Sequence, residues 1–278
     1  MFGIRPFSDY DAQQCNGLND ILLLWTDGMM AGGSVIVFTD PEKMADYAMT
    51  EWERIASEAI SQRGYFSVAL SGGHTPIPLY RKLAAASGTR RWDNTVIFMA
   101  DERFVPATDA ESNIRMVRET LLASVDIPVS NVHPVPTDLP DPAAAAKQYE
   151  KDLAVFFKVR TGGIPEFDLI LLGLGTDGHT ASLFPGTGAL KEHHQLVAAV
   201  SPGGKLDRIT LTFPVINRAR NILFLVTGRE KAEALLGVAE KADTVFPASA
   251  VRPENGELFF LADAEAASLL SADRRCGA

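Results

Sequence analysis

Cysteine is nearly missing from this chain. Cys15 and Cys276 are the only two in 278 residues, they stand near opposite ends, and neither belongs to a CxxC pair or other metal-ligand spacing. A disulfide framework and a cysteine-built metal site are therefore not expected. Long apolar runs are missing as well. The longest near the N-terminus, Ile21–Trp25, falls far short of the roughly 20 residues that a membrane-spanning helix needs. Asp9, Asp11 and Asp20 precede it where a signal peptide would carry basic residues, so no membrane contact is expected and the protein reads as cytoplasmic. Positive charge is in deficit: 26 Lys and Arg against 35 Asp and Glu leave a net charge of −9. Nucleic-acid binding rests on a clustered cationic excess, so nucleic acid is not an expected partner. Any anionic ligand must meet a local cationic patch. Repeats, low-complexity tracts and long polar linkers are absent too, and no GxSxG elbow supports serine-hydrolase chemistry.

What is present is an alternation of Val-, Ile- and Phe-rich runs with helical patterns, the mark of strand-helix-strand units around a parallel sheet. The expected strands are 35–38, 66–70, 95–99, 168–172, 196–200, 209–213, 222–226 and 258–261. The expected helices are 41–62, 76–86, 112–123, 142–158, 229–240 and 263–271. Asp40 before Pro41 predicts an N-cap followed by proline at the first helical position. The fold class is α/β, a mostly parallel sheet flanked by helices with a small additional lobe. Residues 1–33 read as an extension, partly mobile, ahead of one domain over 34–278, with the proline-rich stretch 127–142 as the candidate joint.

Two glycine loops follow expected strands. Ser71-Gly72-Gly73-His74-Thr75-Pro76 opens a helix, a setting where backbone amides approach an anion closely. With Thr75 as N-cap, Pro76 and Pro78 lack first-turn amides, so the phosphate donors are expected from Gly72–Thr75 and the Ser71 and Thr75 hydroxyls. A tight turn with a threonine cap is the alternative. The second loop is Gly173-Leu174-Gly175-Thr176-Asp177-Gly178-His179-Thr180. Ligands of open parallel sheets sit beyond the strands' carboxyl ends, so both loops can face one crevice. The GxGxxG string within it lacks the acidic residue about 20 positions on that a dinucleotide site needs; Glu192 stands 14 beyond Gly178 and precedes a strand.

His179, with Asp177 two residues earlier, suits general-base work on water, the carboxylate fixing the tautomer. Asp177 as a helix cap with His179 packed against it is the alternative. Arg103, in Asp101-Glu102-Arg103 after a strand, can offer a bidentate cation to a phosphate or an oxyanion, or pair with Asp101 or Glu102. Lys205 and Arg208 precede another strand and can extend the cationic patch or be solvated loop charges. The adjacent His193 and His194 point in different directions and make a weak zinc case, and His133 reads as a loop or strand residue.

Together, SGGHTP, DERFVP with ESN, GLGTDGHTASLFPGT, RITLTFPVINRAR and PASAVRP resemble the 6-phosphogluconolactonase family over residues 36–265. The resemblance implies a Rossmann-like fold shared with sugar-phosphate isomerases and glucosamine-6-phosphate deaminases. It also implies no metal or organic cofactor, and hydrolysis of a sugar-phosphate lactone in the oxidative pentose phosphate pathway. Carried over, it makes His179 the base, with Asp177 beside it and Arg103 on the phosphate or the reacting carboxyl. The substrate-binding candidates are Ser71, Gly72, Gly73, His74, Thr75, Asp101, Lys205 and Arg208. Two departures stand out: His74 replaces the family's more usual Ser or Arg, and glycine stands near the place of a loop lysine, with Lys205 beside it. A deaminase would carry an Asn-Glu-Pro string after the histidine, where this chain has Thr180-Ala181-Ser182-Leu183-Phe184-Pro185. A non-catalytic sugar-phosphate sensor would bring a DNA-binding helix pair and a basic surface. A monomer or homodimer is expected.

Overall fold

The structure, a computed structural model, describes residues 21–25, 33–86, 91–160 and 162–271. In chain order the elements are β1 (Ile21–Trp25), β2 (Ser34–Phe38), α1 (Pro41–Arg63), β3 (Phe66–Leu70), α2 (Ile77–Ala85) and β4 (Thr95–Met99). Then follow β5 (Asp101–Arg103), α3 (Asn113–Thr120), β6 (Val132–His133), α4 (Pro142–Phe156), β7 (Leu169–Gly173) and β8 (Val197–Val200). The last are β9 (Arg208–Leu211), α5 (Phe213–Ile216), β10 (Asn221–Val226), α6 (Ala232–Leu235) and β11 (Glu257–Asp263).

Eight strands form one helix-flanked sheet in the order β1-β2-β11-β10-β7-β3-β4-β6. Only β1 runs antiparallel to its neighbour; the other pairs are parallel. Every residue of β3 and β4 is buried, as strands covered on both faces must be, which is why they read as unbroken apolar runs. The helix starts follow local chemistry. Asp40 accepts from the Lys43 amide at 2.9 Å ahead of Pro41, and α1 ends on left-handed Gly64, whose amide returns to the Ile60 carbonyl at 2.9 Å. Asp141 caps α4 in the same way through the Ala144 amide.

Several expectations change. The runs near 196–200 and 209–213 do not join the large sheet: β8 and β9 pair antiparallel, and β5 completes a separate sheet in the order β5-β9-β8. This second sheet is the additional lobe. Ala100 joins the two, its amide donating to the Leu70 carbonyl at 2.8 Å and its carbonyl accepting from Leu211 at 2.9 Å. Strand β9 stops at Leu211 because Pro214, lacking an amide, sits in the first turn of α5. The span 229–240 is not one α-helix but a 3-10 turn, the short α6 and a π-turn over Leu236–Glu240. Residues 264–270 are turns rather than a helix, because Asp263 stays in β11 and its carboxylate is shared between the amides of Gly228 and Ala266. Within the expected extension, Ile21–Trp25 is an edge strand; the remainder of 1–32, Cys15 and Cys276 lie outside the described residues. Stretch 127–142 contributes the opposite edge strand, β6. No described helix is long and apolar enough to cross a membrane.

Candidate active site

Beyond the carboxyl ends of β3, β4, β7 and β10 lies a cavity of about 470 Å³. Both glycine loops border it: Ser71 to Thr75 on one side, Gly173 to Gly175 and His179 on the other. Their convergence follows from the parallel sheet, which brings successive strand ends to the same edge.

The Ser71–Thr75 loop is anchored where it leaves β3, the buried Tyr80 hydroxyl donating to the Ser71 carbonyl at 2.8 Å. Burial pushes that phenol far above its usual range, so it remains a neutral donor. Gly72 has no room for a side chain, since a Cβ there would fall 1.8 Å from Asn113 Oδ1. Gly73 takes φ +85°, a left-handed conformation that glycine adopts without strain. The cap differs from expectation. Pro76, not Thr75, is the N-cap of α2, and it offers no side-chain cap bond. Pro78 therefore holds the second helical position, and the first amide, that of Ile77, is spent on the His74 carbonyl at 3.2 Å. The amides of Gly73, His74 and Thr75 donate to no other described residue. These open donors make the loop a cradle for an oxyanion. Thr75 Oγ1 instead meets Thr227 Oγ1 at 3.2 Å, closing the end of β10 onto the cradle.

In the second loop the His179 Nδ1 hydrogen-bonds Asp177 Oδ1, which also accepts from the His179 amide at 3.1 Å. Burial works to raise the Asp177 carboxyl, but the His179 imidazole and amide, with the Lys205 charge, outweigh it and hold the group below the usual carboxylate range. With Nδ1 engaged, Nε2 is the free nitrogen of a ring that is 28% exposed and lines the cavity. Phe184 supports the ring, centroid to centroid, at 4.3 Å. The loop is built around the glycines Gly175 and Gly178. Gly178 has φ +72° and receives the Phe246 ring, which also fills the space where Gly237 of the π-turn lacks a side chain. The Ala248 amide donates to the Gly178 carbonyl at 2.9 Å. Thus the PASAV segment buttresses the loop that carries His179.

The small sheet supplies the cationic wall. Arg103 and Arg208 are paired in register across β5 and β9, and both line the cavity with Asp101. Arg103 Nη1 donates to the Glu111 carbonyl at 2.6 Å, while Asp101 accepts from Ser182 Oγ at 2.5 Å and Asn113 Nδ2 at 3.3 Å. Arg103 therefore pairs with neither Asp101 nor Glu102 among the described salt bridges. Of the substrate-binding residues expected from sequence, Lys205 alone stands outside the lining, its Nζ 4.8 Å from the centre of the Phe184 ring. Asp177 is likewise outside the lining and hydrogen-bonds His179. Sequence reasoning overlooked Asn113, Ser182, Thr227, Glu230 and Lys231, all of which line the same space. For the last three a signal existed: a glycine, Gly228, just beyond an apolar strand, but a single one.

Comparison with known proteins shows the family and the fold. The family model described as glucosamine-6-phosphate isomerases/6-phosphogluconolactonase matches residues 39–260. The 6-phosphogluconolactonase of Synechocystis sp. is 47% identical over 212 residues, 76% of this chain and 87% of that protein. The rat 6-phosphogluconolactonase is 38% identical over 247 residues, 87% of this chain and 95% of that one. The solved 6-phosphogluconolactonase of Trypanosoma brucei superposes with a TM-score of 0.77 at 35% identity, covering 85% of this chain and 98% of that one. A monomeric glucosamine-6-phosphate deaminase shares the fold, with a TM-score of 0.68 at 24% identity over 84% of this chain and 99% of that one.

Proposed function

The chain belongs to the family of glucosamine-6-phosphate isomerases and 6-phosphogluconolactonases, and from that premise we propose that it is a 6-phosphogluconolactonase. It hydrolyses 6-phospho-D-glucono-1,5-lactone to 6-phospho-D-gluconate, with residues 34–278 as the catalytic unit, in the cytoplasmic oxidative pentose phosphate pathway. One observation carries the reading: an imidazole held at Nδ1 by a carboxylate turns its free nitrogen into a cavity that also holds open backbone amides and two arginines.

The phosphate rests on the amides of Gly73, His74 and Thr75, with Ser71, Thr227 and Lys231 around it. Anchoring it there orients the lactone and removes much of the entropic cost of reaction. His179 Nε2 takes a proton from water as the water oxygen bonds to the lactone carbonyl carbon, and the carbonyl electron pair moves onto its oxygen. Asp177 stabilises the imidazolium so formed. When the tetrahedral intermediate collapses, the bond to the ring oxygen breaks and that oxygen receives the proton. The new carboxyl group then ionises. Deamination of an amino sugar is disfavoured because residues 180–185 bring Ser182 and Phe184, and no carboxylate, to the cavity.

Purified protein is expected to open the lactone well above the spontaneous rate, and His179→Ala to lower kcat by about 10²–10⁴-fold. Wild-type protein no faster than buffer would overturn the assignment, and ammonia release from glucosamine 6-phosphate would replace it with the deaminase.

A further inference from the structure

Lys205 stands outside the cavity lining, yet it is not a loop charge turned wholly to solvent. Residues 201–207 join β8 to β9, and the base of this loop is fastened. Ser201 Oγ donates to Asp207 Oδ1 at 2.6 Å, and the Phe104 amide donates to the Asp207 carbonyl at 2.8 Å. Gly203 and Gly204 carry the tip through two successive left-handed conformations, φ +49° and +68°, which residues with side chains adopt only under strain. That turn delivers the next residue to the site: Lys205 Nζ lies over the Phe184 ring, 4.8 Å from its centre.

Phe184 passes this position on to the base. Its ring is buried, lines the cavity and lies against His179 with centroids 4.3 Å apart. The two contacts put the ammonium within about 9 Å of the imidazole centre, inside the Debye length of about 10 Å at 0.1 M salt. An ammonium over an aromatic face is held there by the negative face of the ring. The Lys205 charge also reaches Asp177, where it helps the imidazole and amide of His179 to keep the carboxyl below its usual range. One side chain thus bears on both members of the pair, through a ring and through its charge.

We propose that Lys205 is a positioning residue for the base: seated on Phe184, it steadies that ring against His179 and sets a fixed positive charge beside the Asp177–His179 pair, opposing its protonation before substrate arrives. This rests on the lactonase reading, in which His179 must be unprotonated to take a proton from water. On the cavity side the pair is faced by Asp101, Arg103 and Arg208 of the small sheet, His74 of the first loop, and Glu230 and Lys231 beyond β10. Lys205 approaches from outside that lining. The sign follows from its charge: a nearby cation makes a further proton harder to bind, so the pair stays able to act as a base in more acidic solution. Removing the cation moves proton uptake by the pair to higher pH.

The test compares the full-length wild type with Lys205→Met, which keeps a flexible side chain against the ring but no charge, and Lys205→Arg, which keeps the charge. Proton uptake by the pair is followed by NMR on the His179 ring of the free protein, assigned with His179→Ala. Lactone turnover against pH and calorimetric binding of inorganic phosphate are measured beside it. In Lys205→Met the midpoint of proton uptake is expected to rise by about half a pH unit. Relative to wild type, kcat below the midpoint should then fall about threefold further than kcat above it, while phosphate binds as in wild type. Lys205→Arg should keep the wild-type midpoint. A midpoint unmoved or lowered in Lys205→Met would overturn the proposal and leave Lys205 a solvated loop charge. Weaker phosphate binding with an unmoved midpoint would overturn it too and make Lys205 a ligand of the anion. So would a rise that Lys205→Arg reproduces, since loop disturbance and not charge would then be the cause. The NMR titration needs no substrate, so wild type without lactonase activity would remove the functional reading, whereas an unmoved midpoint strikes the Lys205 assignment alone.

Discussion

A Cβ added to Gly175 would lie 2.0 Å from His179 Nδ1 and 2.6 Å from Asp177 Oδ1. The glycine is therefore what lets the imidazole and the carboxylate meet against the main chain. Gly175→Ala is expected to leave the fold intact but push the ring aside, lowering kcat about 10²-fold, the scale of loss that a misplacement near 1 Å produces. Lactone turnover measured beside a thermal melt checks this, and unchanged kcat in the variant would show that the ring has room to move. At this scale much was legible from the chain alone. Asp177 and His179 stand two residues apart, so their encounter is a local matter of one turn. Thr75 was misjudged as a cap because its hydroxyl is taken by Thr227, a partner 152 residues away.

Glu102 shows what an element needs in order to hold a functional side chain in place. It is fully buried; Oε1 accepts from the Arg103 and Asn113 amides at 2.8 and 2.7 Å, and Oε2 from the Ile114 amide and Ser112 Oγ at 2.8 and 3.3 Å. One carboxylate thus satisfies amides at the start of α3 and ties that helix to β5, which carries Asp101 and Arg103. Glu102→Ala strands these donors and is expected to cost about 3 kcal/mol or more of stability, read from urea unfolding. A loss below about 1 kcal/mol would mean that water replaces the carboxylate. The capped helices α1 and α4 were readable because Asp-Pro starts are local signals. The break after α6 was not, because the π-turn accommodates Phe246, whose ring enters the space at Gly237 from a separate segment.

Across the whole molecule the parallel sheet gathers four strand ends around one cavity, and its far edge carries a different sensitivity. His133 on β6 stacks on the buried Phe98 with ring centroids 4.5 Å apart, and burial lowers its pKa from about 6.5 despite the opposing Asp152 charge. The unfolded chain binds this proton more readily than the fold does. Its contribution to stability is therefore present above about 6.5 and is lost as pH falls toward the depressed value. The urea midpoint of wild type is expected to drop between neutral and mildly acidic pH by more than that of His133→Phe. Equal drops in both would place the acid sensitivity elsewhere.

The amino-acid order alone determined the strand-helix alternation, both glycine loops and the pairing of His179 with Asp177, because side-chain period, turn chemistry and short-range pairing are properties of neighbouring residues. Tertiary structure decided the rest. Nothing local announces that β5, β9 and β8 leave the large sheet to form their own antiparallel one, that Thr227 and Lys231 line the same cavity as the first glycine loop, or that two nitrogens of Arg208 end up buried without a hydrogen-bond partner. Strand pairing and the environment of a charge depend on which distant segments the packed core brings together, and sequence period carries no record of that choice.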